Sequence, residues 1–257
     1  MDVDEVRGRS VRYLLALLVV CLAAGAQAGE PAVSALNGKV SVESGVTSSF
    51  GRAAAVGTAQ GALTAPVGDS FGLEVDAIGS TSRNAFSGGG LAQFFWRDPA
   101  LGQAGPFGAL AGSNGNRIAL GGGEAQLFAP NLTVQAFAGY LDVATAAALP
   151  AGAASYGAFY GSHLTLYPDP DLALTIGAQL AINRATGTAS VEFLPDLTPH
   201  RNMSLFVDAS AGDDQEYRVT GGIRLYLGPD KSLIRRHRED DLTYGELEYL
   251  AWLASIY

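Results

Sequence analysis

From Leu172 the chain runs LALTIGAQLAIN, placing Leu172, Leu174, Ile176, Ala178, Leu180 and Ile182 on one set of alternate positions and Thr175, Gly177, Gln179 and Asn183 on the other. Successive side chains of a β-strand point to opposite faces, so a period of two predicts a strand with one oily face. The same split returns in Met203, Leu205, Val207, Ala209 and Ala211 against Ser204, Phe206, Asp208 and Ser210. It returns again in Tyr217, Val219, Gly221, Ile223, Leu225 and Leu227 against Glu216, Arg218, Thr220, Gly222 and Arg224. Nearer the start, Val40, Val42 and Val46 alternate with Lys39, Ser41 and Glu43, while Phe71, Leu73, Val75 and Ala77 alternate with Gly72, Glu74 and Asp76.

Twelve segments of this kind are predicted, near 36–46, 54–64, 70–80, 87–97, 105–113, 117–128, 132–142, 155–167, 171–182, 186–194, 202–212 and 216–227. Ten strands result if the second and tenth, where alternation is poorest, are left out. Proline-bearing turns separate them at Pro66 to Asp69, Asp98 to Gly102, Ala129 to Asn131, Pro168 to Asp171 and Pro195 to Pro199. Each follows an even-numbered segment, the parity of an up-and-down barrel whose two ends carry different classes of turn. Phe71, Phe94, Phe95, Trp96, Phe107, Phe128, Tyr167, Phe193 and Tyr226 gather near those turns, as an interfacial girdle would. GGGLAQFF from Gly88 and GGGEAQLF from Gly121 form a weak internal repeat, consistent with duplicated hairpins. No helix and no Lys-Ser or Lys-Thr follows, so these glycines do not read as a phosphate loop; they suit a strongly curved sheet.

The fold class expected is therefore all-β: an up-and-down antiparallel transmembrane β-barrel of about twelve strands with a short C-terminal helical or disordered tail. Alternation alone also fits a secreted soluble β-sandwich acting as a binding module, in which the oily faces meet each other. Arg7, Arg9 and Arg12 precede an apolar run from Tyr13 to Ala24 and then Ala26-Gln27-Ala28, the pattern of a secretory signal peptide cleaved after Ala28. The sole cysteine, Cys21, lies within it, so the remaining chain has no disulfide and no thiol chemistry. The domain reading is residues 1–28 signal peptide, 29–35 linker, 36–228 barrel and 229–257 periplasmic tail. With 48% apolar residues among 257, hydrophobicity is ample, yet no later stretch is long enough for a spanning helix. A net charge of −9 without a basic stripe argues against nucleic-acid partners. Signal peptide, missing cysteines, aromatic ring and even strand count favour the outer membrane over the sandwich.

With the oily faces outward, one interior is lined by Lys39, Glu43, Glu74, Asp76, Gln93, Arg97, Glu124, Gln126, Glu192, Asp208, Glu216, Arg218 and Arg224. Twelve strands enclose a narrow lumen, and acids and bases of both signs can pair across it, which argues against a wide pore and against strong ion selection. His163 and Thr165 share one strand face, with Ser162 on the other, so a barrel-borne lipid hydrolase using His163 is an alternative that lacks its serine. His163, His200 and His237 are scattered, giving no metal-site spacing. Glu74 with Asp76, and Asp213 with Asp214, fit a lumen face and a solvated turn better than a calcium loop. No cofactor is expected.

Thr220, Gly222, Leu225 and Leu227 fit polar-x-Gly-x-x-apolar-x-apolar, which resembles the last-strand signal that outer-membrane barrels present to their assembly machinery. In those barrels the signal usually ends the chain at an aromatic residue, whereas here a tail follows. That tail, Asp230-Lys231-Ser232-Leu233-Ile234-Arg235-Arg236-His237-Arg238-Glu239-Asp240-Asp241, is similar to the tail of a group of uncharacterised bacterial proteins with a signal peptide and Gly-rich strands. Leu36-Asn37-Gly38-Lys39 and Phe95-Trp96-Arg97-Asp98-Pro99 resemble the same group. The resemblance implies an outer-membrane β-barrel and brings no activity with it. The tail's basic block abuts an acidic one; it is expected to pair with itself or lie in solvent, with docking to anionic lipid or a periplasmic partner as the sharper reading. Leu247, Leu250 and Ala254 recur at helical spacing, suiting an interfacial helix or a plug. The function expected is limited small-solute passage or envelope structure, with outer-membrane lipid and the assembly machinery as partners and no reaction assigned.

Overall fold

The computed structural model describes residues 31–49, 51–82, 85–113, 115–145, 155–182, 184–196, 202–213 and 216–240. The signal peptide with Cys21, together with His200, Asp214 and the helical spacing beyond Asp240, lies outside the described residues.

Twelve antiparallel strands are described: β1 (Asn37–Ser49), β2 (Arg52–Val67), β3 (Phe71–Ser82), β4 (Ala85–Asp98), β5 (Gly102–Ser113), β6 (Asn116–Ala129), β7 (Leu132–Ala144), β8 (Tyr156–Asp169), β9 (Leu172–Ala181), β10 (Arg184–Phe193), β11 (Met203–Gly212) and β12 (Tyr217–Leu227). Each pairs with its neighbour in sequence, and β12 pairs with β1 over Gly38↔Leu227 to Ser48↔Tyr217, closing the barrel. Closure leaves no open sheet edge, the condition for strands to cross a hydrocarbon layer. The segments near 54–64 and 186–194, poorest in alternation, are full members of the wall as β2 and β10. A single closed barrel also removes the two-layer sandwich.

Alternation sets the two faces. Val42, Val75, Leu110, Ile176, Val207 and Leu225 are exposed on the outside, whereas Ser41, Glu74, Ala109, Thr175, Phe206 and Arg224 turn inward. Among the described residues no helix is long and apolar enough to cross a membrane, so strands carry the apolar surface. The proline-bearing turns between β2 and β3, β4 and β5, β6 and β7, and β8 and β9 sit at the end where β1 begins and β12 stops, hereafter the terminal mouth. The β2–β3 turn there bends at Gly68, whose φ of +67° an L side chain rarely adopts.

The aromatic girdle is smaller than the sequence predicts. Phe71, Phe94 and Phe193 take outward positions, and Phe71 stacks on Phe94 with centroids 5.4 Å apart. Phe95, Phe107, Phe128, Tyr167 and Tyr226 instead take inward parity. Proximity to a turn gives height along the barrel but not direction; direction follows from odd or even position. Several inward rings fill space left by glycine on the paired strand: Phe95 faces Gly72, Phe137 faces Gly161, His163 faces Gly177 and Phe206 faces Gly222. Covering a glycine with a cross-strand aromatic ring lets a tightly curved sheet keep its interior packed.

Candidate functional site in the barrel lumen

Among the residues expected inside, Lys39, Glu43, Glu74, Asp76, Gln93, Arg97, Glu124, Gln126, Glu192, Glu216 and Arg218 are buried, and Asp208 and Arg224 half-buried. They do not form one mixed lining, however; they sort into three groups along the wall.

The first is a belt on β4 to β8. Arg97 Nε donates to Gln103 Oε1 at 2.9 Å and Arg97 Nη1 to the Ala32 carbonyl at 3.2 Å. Gln103 Nε2 and Gln126 Nε2 donate to Glu124 Oε1 at 3.0 and 2.9 Å, and Gln135 Nε2 donates to Glu124 Oε2 at 2.8 Å. Gln135 Oε1 then lies 3.1 Å from His163 Nδ1. Glutamine supplies both donor and acceptor, so a relay of amides can link the guanidinium to a carboxylate that three amide donors satisfy. Lys39, Glu74 and Asp76 are buried beside this belt on β1 and β3, with Thr64 Oγ1 donating to Glu74 at 2.6 Å. His163 is thus held by Gln135 and lies over Gly177, while Thr165 pairs with Thr175 at 2.9 Å and Ser162 is exposed on the outside.

Above the belt, away from the terminal mouth, the same arc of wall is apolar inside. Ile78, Leu91, Phe107, Ala109, Ala111, Ile118, Phe137, Leu141, Val143, Phe159 and Ala181 pack together, with Phe159 6.0 Å from Phe107 and 6.2 Å from Phe137. An oily patch on the inner face is absent from the sequence expectation. The inward residues of β5, β6 and β7 carry its signal, since both alternate sets are apolar there.

The second group lies on the opposite arc. Arg218 pairs with Glu43 across the β12–β1 seam and donates to Thr58 Oγ1 at 2.9 Å, while Arg184 Nη1 meets Glu216 at 2.7 Å. Between these pairs and the terminal mouth, Gln179, Thr188, Ser190, Asp208 and Ser210 form a set of inward polar side chains on β9 to β11 that are only half-buried. Bulky apolar groups crowd the inner face along β4 to β8, whereas these polar groups keep partial exposure.

The third group closes the terminal mouth. A helix, α1 (Leu233–Glu239), follows β12 and enters this end of the barrel, with Leu233, Arg236, His237 and Glu239 buried. Glu192 is its anchor. It accepts from Ser204 at 2.5 Å and Tyr226 at 2.6 Å, pairs with Arg224, and lies 3.5 Å from His237 Nε2. His237 Nδ1 is 3.1 Å from the Tyr167 hydroxyl, and the Arg236 guanidinium lies 4.7 Å from the Tyr226 ring centre. Arg238 donates to the carbonyls of Ala129 and Leu132 at 2.6 and 3.0 Å, capping the β6–β7 turn. The basic block is only partly self-paired: Lys231 and Arg235 meet Glu239 and Asp240 of the acidic block, as expected, whereas Arg236, His237 and Arg238 turn to the barrel instead of solvent. The N-terminal segment folds into the same mouth, where Ala32 N donates to the Asp69 carbonyl at 2.8 Å and Val33 packs on Phe95. The segments before β1 and after β12 meet at Lys231, whose Nζ lies 2.6 Å from Asp240, 3.0 Å from Glu239 and 2.9 Å from Ser34 Oγ.

Of the predicted last-strand pattern, Thr220 and Gly222 face inward and Leu225 and Leu227 outward. Among the described residues no group of three His, Cys, Asp or Glu side chains gathers as a metal cage.

No protein-family model matches the chain, and no curated protein matches its sequence. Solved structures do match its shape. The KdgM porin superposes with a TM-score of 0.53 at 9% identity, over 73% of this chain and 98% of that one. The COG4313 outer membrane channel from Pseudomonas putida F1 superposes with a TM-score of 0.51 at 11% identity, over 76% and 96%. The likeness is one of fold. At such identity it shows the fold alone, and the lumen of this chain has to be argued from its own side chains.

Proposed function

We propose that the chain is an outer-membrane β-barrel serving limited passage of small solutes, with no reaction of its own. The carrying observation is the track of half-buried polar groups on β9 to β11, set against an arc on β3 to β8 whose inner face is packed with apolar side chains. An exposed apolar outer face on a closed barrel supports placement in a lipid layer, and the porin and channel folds above support the outer membrane as that layer. On this reading residues 1–28 are the signal peptide, cleaved after Ala28, and 36–228 form the barrel. Residues 229–257 form a tail on the periplasmic side, whose first part narrows the terminal mouth. Thr220, Gly222, Leu225 and Leu227 present β12 to the assembly machinery, and the tail beyond Asp240 remains for a periplasmic partner.

Passage is limited because α1 and residues 31–36 occupy one mouth. The contacts holding them are mostly polar and so can exchange with water more readily than an apolar plug. The test is purified full-length protein in detergent and then in liposomes. A faster gel band before boiling than after, followed by osmotic swelling in small neutral solutes, is the expected result. Solubility without detergent defeats the membrane placement, and a folded, inserted barrel that admits nothing leaves envelope structure as its role.

A further inference from the structure

Resting on that passage reading, we infer that the track along β9 to β11 selects uncharged, hydroxyl-bearing solutes of sugar-alcohol size over ions of either sign. The argument starts from how its charges are matched. Arg184 faces Glu216 from β10 to the start of β12, Arg218 faces Glu43 across the closing seam, and Arg224 faces Glu192 from β12 back to β10. Three arginines on this wall thus meet three glutamates one to one, spaced from the far mouth to the terminal mouth. A matched pair projects little field into the lumen, unlike the rows of one sign that select ions. To use any of these charges, a permeating ion must first separate a pair whose members are largely desolvated.

Between the pairs the wall offers Thr188, Ser190 and Ser210 hydroxyls, the Gln179 amide and the Asp208 carboxylate. Hydroxyls donate and accept, so they replace the water lost by a polyol at either kind of group. An ion losing its shell in so narrow a space recovers far less from the same groups. On the opposite arc the patch of Phe107, Phe137 and Phe159 carries no charge, and the Glu124 carboxylate in the belt beneath it is already satisfied by three amide donors.

The experiment is isosmotic swelling of liposomes holding the full chain, with mannitol, glucosamine and gluconate as neutral, cationic and anionic probes of one carbon number. Mannitol is expected to enter about tenfold faster than either ion, a difference of about 1.4 kcal/mol in the barrier. Glu43→Gln, which leaves Arg218 without its carboxylate, is expected to raise the gluconate-to-mannitol ratio about tenfold by the same conversion. Glu216→Gln, which does the same to Arg184, serves if the first variant lacks the fast-migrating folded band. Gluconate or glucosamine entering the parent as fast as mannitol overturns the selectivity and leaves passage standing. No entry of any probe, in the parent and in a Lys231→Ala variant with its tail loosened, overturns the passage reading and this inference with it.

Discussion

Phe206 and Gly222 are register partners on β11 and β12, and the ring of Phe206 occupies the volume that a side chain at position 222 would need. A Cβ there lies 2.8 Å from the ring tip and collides with the Val42 carbonyl of β1. The Arg224 guanidinium in turn lies 4.6 Å from the ring centre, so the glycine, the ring and the cation of the Arg224–Glu192 pair stack in order. Gly222 is therefore demanded by closure of the barrel, whatever the assembly machinery reads. Gly222→Val is expected to destabilise the seam by more than about 1–3 kcal/mol, the usual cost of overpacking, because backbone rather than a flexible side chain must yield. Gel mobility before boiling checks this: a parental yield of the fast band contradicts it.

The Arg224–Glu192 pair is nearly dry, with side chains 13% and 7% exposed. Removing one charge from a buried pair costs about 3–5 kcal/mol, whereas removing both together often costs little. Glu192→Gln is expected to lower the denaturant midpoint in detergent sharply, and Glu192→Gln with Arg224→Met to recover most of the loss. Additive losses in the double variant show that the two side chains are not coupled.

The fold was legible because period-two alternation records both faces of every strand, and because proline turns at every second connection record the parity of a barrel. Individual inward charges were legible for the same reason: Lys39, Arg97 or Glu192 opposite an apolar set has one place to go. What alternation does not contain is distance around the wall. It placed Phe107 in an interfacial girdle and singled out neither Phe137 nor Phe159, although the three join across β5, β7 and β8 as an inner apolar patch. It also hid the mouth, since the contacts of Lys231 with Ser34 and of His237 with Tyr167 are long-range. Charge composition made the tail look solvated, because a run of cations shows nothing of the carbonyls and carboxylates that await it.

Lys231 is the point where the segments before β1 and after β12 are joined. Lys231→Ala removes the contacts to Asp240, Glu239 and Ser34 at once, leaving α1 attached through Leu233 and the Glu192 cluster. The expected outcome is a severalfold rise in mannitol entry, with the barrel's denaturant midpoint nearly unchanged, since strand pairing does not involve this residue. Equal entry in parent and variant shows that α1 does not limit passage.

Acid should loosen the same mouth through Glu239. Burial opposes ionisation of this carboxyl, but hydrogen bonds from Arg235 and Lys231 and the charges of both hold its pKa below the usual glutamate range. A carboxyl whose pKa falls on docking contributes while it is ionised. Its contribution is complete above the free value and is lost as pH falls through the docked one. Between pH 6 and 8 the attachment of α1 is therefore expected to be flat with respect to this group, and to weaken only below about pH 4.5, where free carboxyls begin to protonate. A spin label at Ser232→Cys in a chain expressed from Gly29 reports it, since the one cysteine of the sequence is Cys21. Label mobility should rise below pH 4.5 in the parent. In Glu239→Gln, mobility should already be raised at pH 7 and change little on acidification. A parent label equally immobile at pH 3 and pH 7 removes Glu239 as a fastening of the mouth.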